Sequence, residues 1–171
     1  MKLKHPVVYG HPLHAMASDL PVALIPTALL AAAADRARPS SSTRLASDAA
    51  SVLALGAATA AASLGWWDWL TIPSGHPVRR PATIHGLINT SGLALGALAL
   101  ADRRRRFGLL LAINASLLVA AWIGGDLVYA LGWRVRPAEE LEQLDEGRTR
   151  EEARRIVDEH ERKDLLLTTT R

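Results

Sequence analysis

Cysteine does not occur anywhere in the 171 residues. That absence excludes disulfides, thiolate metal sites and cysteine nucleophiles. Charge is missing from four long stretches: Pro12 to Ala34 carries only Asp19, Ala49 to Ile72 only Asp68, Phe107 to Gly132 only Asp126, and Pro81 to Ala101 carries none. An export signal is not expected either. The first tract holds a carboxylate and two prolines and no cleavage-like ending follows it, so it is expected to persist as a helix.

What is present is 49% apolar and 22% charged residues, an odd mixture for a soluble domain until the distribution is seen. A bilayer core of about 30 Å needs roughly 20 apolar residues in helix, and each of the four tracts supplies them. The pI near 9.8 comes from arginines clustered beside those tracts, where basic residues meet lipid headgroups. Nucleic-acid binding is therefore not expected; the bilayer is the expected partner.

The links between tracts are short and polar: Asp35 to Asp48, Pro73 to Arg80 and Asp102 to Arg106. Short links make neighbouring helices antiparallel. The expected fold is all-α, an up-down-up-down four-helix transmembrane bundle over residues 8–136, multi-pass in a membrane. Residues 137–171 form a tail in which 138–163 alternates Glu and Arg, and it is expected as a charged C-terminal helix outside the membrane. Loops 36–45 and 102–106 hold seven arginines against six basic residues on the opposite face, so charge scarcely sets the orientation. With no export signal, the tail is expected in the cytoplasm. Gly92 and Gly96, a small-xxx-small pair, suit close helix packing within one chain and leave a homodimer open.

Such a bundle gathers most of its polar residues at one end. His11 and His14 open the first helix, Trp66 to Trp69 close the second, His85 and Asn89 open the third, and Asp126 and Tyr129 lie late in the fourth. His85, Asn89, Gly92 and Gly96 recur at i, i+4, i+7 and i+11, a stripe that points inward. Trp122, Asp126, Tyr129 and Trp133 make a second stripe. Ionisable groups inside a membrane cost about 2.5 kcal/mol or more at the centre, so they turn towards partners. His14, His85, Asn89 and Asp126 are accordingly expected to converge. They form either a hydrogen-bonded cluster that fixes helix register or a ligand or proton site. The tryptophans read as an interfacial belt, His5, His76 and His160 as solvated loop residues, and Pro12 as the first residue of its helix. Pro21 and Pro26 predict a kink in that helix.

At these residues the chain resembles the four-helix bacterial membrane proteins catalogued as domain of unknown function 2231. The matching pieces are His11-Pro-Leu-His14 with Leu20-Pro21, Gly65-Trp-Trp-Asp68-Trp69, Arg80 with His85 and Asn89, and Gly124-Gly-Asp-Leu-Val-Tyr129 with Gly132. Ala15 stands where the family has proline, which bears on how the first helix begins. Some relatives are fused to a Rieske iron–sulfur domain, so the resemblance hints at redox work and a redox partner protein. Three functions follow as expectations. The first is a non-catalytic membrane scaffold or accessory subunit. The second is a haem-binding electron-transfer module in which His14 and His85 ligate haem b. A proton relay through Asp68, Asp126 and His85 is the third, though the far halves of the helices offer it no continuing polar path.

Overall fold

The computed structural model of the chain describes residues 4, 6–9 and 11–133. His5, His160 and the expected charged helix over 138–163 lie outside the described residues. A two-residue ladder pairs β1 (Val7–Val8) antiparallel to β2 (His11–Pro12), with Val7 opposite Pro12 and Val8 opposite His11. Four long helices follow: α1 (Leu13–Ala37), α2 (Ser41–Leu70), α3 (Arg79–Ala101) and α4 (Arg106–Gly125). All four are long and apolar enough to cross a membrane, the last together with a π-helical turn, Asp126–Ala130. Gly132 then takes φ +61°, and the Trp133 N–H reaches back to the Leu127 carbonyl at 2.8 Å. That is the left-handed closing turn for which glycine is suited.

Two boundaries differ from expectation. Pro12 is the residue before α1, not its first residue. The serine-rich stretch up to Asp48, expected as a loop, is mostly helix: Ser40 Oγ accepts from the Thr43 N–H and Thr43 Oγ1 accepts from the Ser40 N–H. This reciprocal cap satisfies orphan N–H groups and starts α2 at Ser41. Thr43 Oγ1 also donates to Asp35 at 2.9 Å, joining the last turns of α1 to the first turn of α2.

Each helix packs on its two neighbours in the ring α1, α2, α3, α4, with the α1–α2 interface the most extensive. The inward residues repeat at alternating steps of four and three. They are His14, Ser18, Pro21, Ile25, Ala28, Ala32 and Asp35 on α1, and Ser47, Ser51, Ala54, Ala58, Ala61, Gly65 and Asp68 on α2. On α3 they are Ala82, His85, Asn89, Gly92, Gly96 and Ala99. Arg106, Leu110, Ile113, Leu117, Ala120 and Gly124 line α4, and Leu127 follows in the π-turn. This mean period of 3.5 is the one that keeps a seam facing its partners along a long helix.

Small side chains point in and large ones out. Ala28 is 0% exposed and Ala99 and Ala120 1%, whereas Leu118 is 74% and Leu30 70% exposed. Such a surface on a soluble protein would be an aggregation liability, while in lipid it leaves close backbone approach as the source of cohesion. Ile25, Ala28, Ala32, Ala54, Ala99, Leu110 and Ile113 form one apolar cluster, and Ile72, Val78 and Leu127 form another. Between them lies a layer of histidines.

Candidate functional site

His14 sits in the first turn of α1 and reaches α2, where its Nδ1–H donates to the Ala61 carbonyl at 3.0 Å. His85, in the second turn of α3, does the same to α4: Nδ1–H donates to the Ala120 carbonyl at 2.9 Å. A carbonyl only accepts, so each contact fixes the proton on Nδ1 and leaves Nε2 as the acceptor in the neutral ring. The two rings meet edge to face at the centre of the bundle, centroids 6.3 Å apart and planes at 77°.

Four residues beyond each accepting alanine stands a glycine. A Cβ at Gly65 would lie 2.8 Å from Cε1 of His14, and one at Gly124 would lie 3.2 Å from Cε1 of His85. Four residues beyond each histidine stands a polar residue that bonds back to it. Ser18 Oγ donates to the His14 carbonyl at 2.7 Å, and Asn89 Nδ2 donates to the His85 carbonyl at 2.9 Å. The α1–α2 and α3–α4 helix pairs therefore carry the same unit, built of a histidine, an i+4 polar residue, an alanine carbonyl and a glycine. They differ in one bond. Asn89 is long enough to donate also to His85 Nε2, at 3.1 Å, whereas Ser18 makes no such contact to His14.

Of the four expected site residues, the structure brings together His14, His85 and Asn89, and it does not bring Asp126 to them. Asp126 is exposed, beginning the π-turn six residues past Ala120, about 9 Å along the axis. Its neighbours in the expected stripe point outward too, with Trp122 75% and Tyr129 90% exposed. The phase of α4 is set by Arg106, Leu110 and Ile113, and it presents Ala120 and Gly124 to His85 because only small residues leave room for the ring. Asp68, by contrast, is buried on the inward face of α2, and Thr71 Oγ1 donates to its carbonyl at 2.6 Å.

Sequence reasoning also missed how the tryptophans act. Trp66 Nε1–H donates to Thr90 Oγ1 at 3.0 Å and Trp69 Nε1–H to Thr83 Oγ1 at 2.8 Å, so two indoles stitch α2 to α3. The signal was present: residues three apart on one helix met threonines seven apart on the next. Trp66 and Trp69 pack edge to face at 5.3 Å, and the Arg79 guanidinium lies 4.1 Å from the Trp69 ring centroid. Arg79 Nη1 also donates to the Ile72 carbonyl. Trp67 is more exposed and donates to the Lys4 carbonyl at 3.2 Å. His11 is exposed with Nδ1 bonded to the Tyr9 carbonyl, and His76 packs on Trp133 at 5.1 Å.

A second polar layer lies at the other end of the bundle. Arg106 is 4% exposed; Nη1 donates to Asp48 Oδ1 at 2.6 Å and to Ser47 Oγ at 3.2 Å, and Nε to the Ala99 carbonyl at 2.9 Å. Read from sequence it was one loop arginine among several. Its place one turn before Leu110, in phase with the inward stripe, was the sign of burial. No group of three or more metal-ligating His, Asp or Glu side chains occurs among the described residues.

Four membrane-length helices with small residues inside and large apolar residues outside define a polytopic α-helical membrane protein. The family described as predicted membrane protein, domain of unknown function 2231, matches residues 10–137, and the chain belongs to it. No curated protein and no solved structure matches the chain.

Proposed function

We propose that the chain is an up-down-up-down membrane bundle serving as a non-catalytic scaffold or accessory subunit, with His14, His85 and Asn89 acting as a register clamp between its two hairpins. The observation that carries this is the closure of His85. Its Nδ1–H is taken by Ala120 and its Nε2 by Asn89, and glycine backbones press on both rings. A buried polar group satisfied on every side specifies packing and leaves little bonding capacity for a substrate. The antiparallel order is supported by His14, at the start of α1, meeting Ala61 near the end of α2, and by Asp35, at the end of α1, meeting Thr43. Reporter fusions at residues 40 and 75 are expected on opposite sides of the membrane, and the same side for both would refute the topology. His85→Ala is expected to lower stability while the purified wild type shows no Soret band.

A second reading, a haem-binding electron-transfer module, is favoured by one observation. Two imidazoles with centroids 6.3 Å apart can share one metal at about 2 Å each, and Nδ1–H anchored on a carbonyl is the usual support of a metal-ligating histidine. It requires His85 Nε2 to exchange Asn89 for the iron. A Soret band in the wild type, lost or shifted in His14→Ala and His85→Ala, decides for it.

A further inference from the structure

The run Arg103 to Arg106 divides its charges between two tasks. Arg103 and Arg106 both pair with Asp48, and Arg106 is buried in doing so. Arg104 and Arg105 instead turn to an open cleft of about 370 Å³ where α1 ends and α4 begins, lined by Arg36, Arg104, Arg105, Phe107, Gly108 and Leu109. Three of its six lining residues are arginines and none is acidic. Asp102 accepts from the Arg104 N–H at 2.9 Å and the Arg105 N–H at 3.4 Å, and it pairs with the Arg105 side chain at 3.4 Å, which leaves that side chain 81% exposed. Arg104 has no side-chain partner among the described residues, and Arg36 meets only the face of Phe107, at 5.6 Å. Gly108 adds no bulk: a Cβ there would touch nothing within 4 Å.

We infer that this cleft binds the phosphate-bearing headgroup of an anionic phospholipid. Guanidinium forks are matched to phosphate oxygens, and three arginines on one cleft, two of them without an acidic partner among the described residues, complement a doubly or singly charged phosphate ester. The apolar side of the cleft, Phe107 and Leu109, belongs to a membrane-length helix, so an acyl chain leaving the headgroup runs along protein that already faces lipid. A free phosphate shares the headgroup's chemistry but gains nothing from that apolar wall.

The test uses the full chain purified in a neutral detergent, with phosphatidylglycerol, phosphatidylcholine and inorganic phosphate as separate probes and lipid retention read by native mass spectrometry. The wild type is expected to retain phosphatidylglycerol over phosphatidylcholine. The double variant Arg36→Gln/Arg104→Gln is expected to lose that preference by roughly thirty-fold, from about fivefold per arginine near a lipid surface. Arg38→Gln/Arg44→Gln, at the same end but outside the cleft, is expected to keep it. Equal retention of the two lipids by the wild type overturns the inference without recourse to any variant, and so covers failure of the double variant to fold. An equal loss in the control pair would reduce the effect to general surface charge and overturn it. Displacement of the lipid by equimolar inorganic phosphate would make the cleft a phosphate site, and that result also overturns it.

Discussion

The two hairpins carry the same histidine unit and complete it differently. In α1–α2 the i+4 residue is Ser18, too short to reach the ring, and Gly65 holds His14 at a distance that admits no side chain. In α3–α4 the i+4 residue is Asn89, which caps the ring, and Gly124 leaves slightly more room. The first hairpin thus positions its imidazole by sterics and one bond, the second by a closed network. At the far end the difference reverses: the inward position filled by Ser47 on α2 is filled on α4 by Arg106, which depends on Asp48 of the first hairpin. Equivalent places on a repeated scaffold can be held by contact or by hydrogen bonding, and the two respond differently to mutation.

The largest expected effect breaks the hairpins' dependence on each other. Asp48→Ala leaves the buried Arg106 guanidinium without its carboxylate, and chemical unfolding in detergent is expected to register a loss of about 3 kcal/mol, the low end for a broken buried pair because Asp48 is itself partly exposed. Ser47→Ala, at the equivalent of Arg106, is expected to lose less than about 1 kcal/mol in the same measurement.

Next come the rings. His85→Ala removes the second hydrogen bond accepted by the Ala120 carbonyl and leaves one Asn89 N–H without its ring acceptor, and it is expected to lower stability by about 2 kcal/mol, whereas His14→Ala, which breaks one such bond, is expected to lose about half of that. Equal losses would mean that the Asn89 cap contributes nothing.

The glycines sharpen the contrast on a smaller scale. Alanine gains about 1 kcal/mol over glycine in a helix, against about 1–3 kcal/mol for overpacking. At Gly65 the new methyl would displace a ring tied to Ala61, so Gly65→Ala is expected to be net destabilising by about 1 kcal/mol. Gly124→Ala, with its looser contact, is expected near neutral; thermal melts of the pair check the order. The smallest effect belongs to the periphery: Thr90→Val removes the exposed Trp66 bond and is expected to cost about 0.5 kcal/mol, read as a small change in tryptophan fluorescence and melting temperature.

The four helices were legible because a carboxylate or guanidinium is expensive in lipid, so uncharged tracts of that length have one economical solution. The convergence of His85, Asn89 and His14 was legible from the i, i+4 stripe and from helix ends. The direction of Asp126 was not, since depth along a helix says nothing of its azimuth, and that azimuth is fixed by Arg106, Leu110 and Ile113 a few turns away. Nor was the start of α2, because serine and threonine serve loops and helix caps alike, and only the Ser40–Thr43 reciprocity distinguishes them. The glycines at 65 and 124 could not be assigned either. Their role exists only once a histidine from another helix lies against them.

The hydrogen-bonded clamp across the bundle is tested most directly by unfolding wild type and His85→Ala, purified from membranes, while recording helix content and visible absorption on the same samples. A clamp predicts a variant destabilised by about 2 kcal/mol and a wild type without a Soret band. A Soret band in the wild type that His85→Ala abolishes would contradict it.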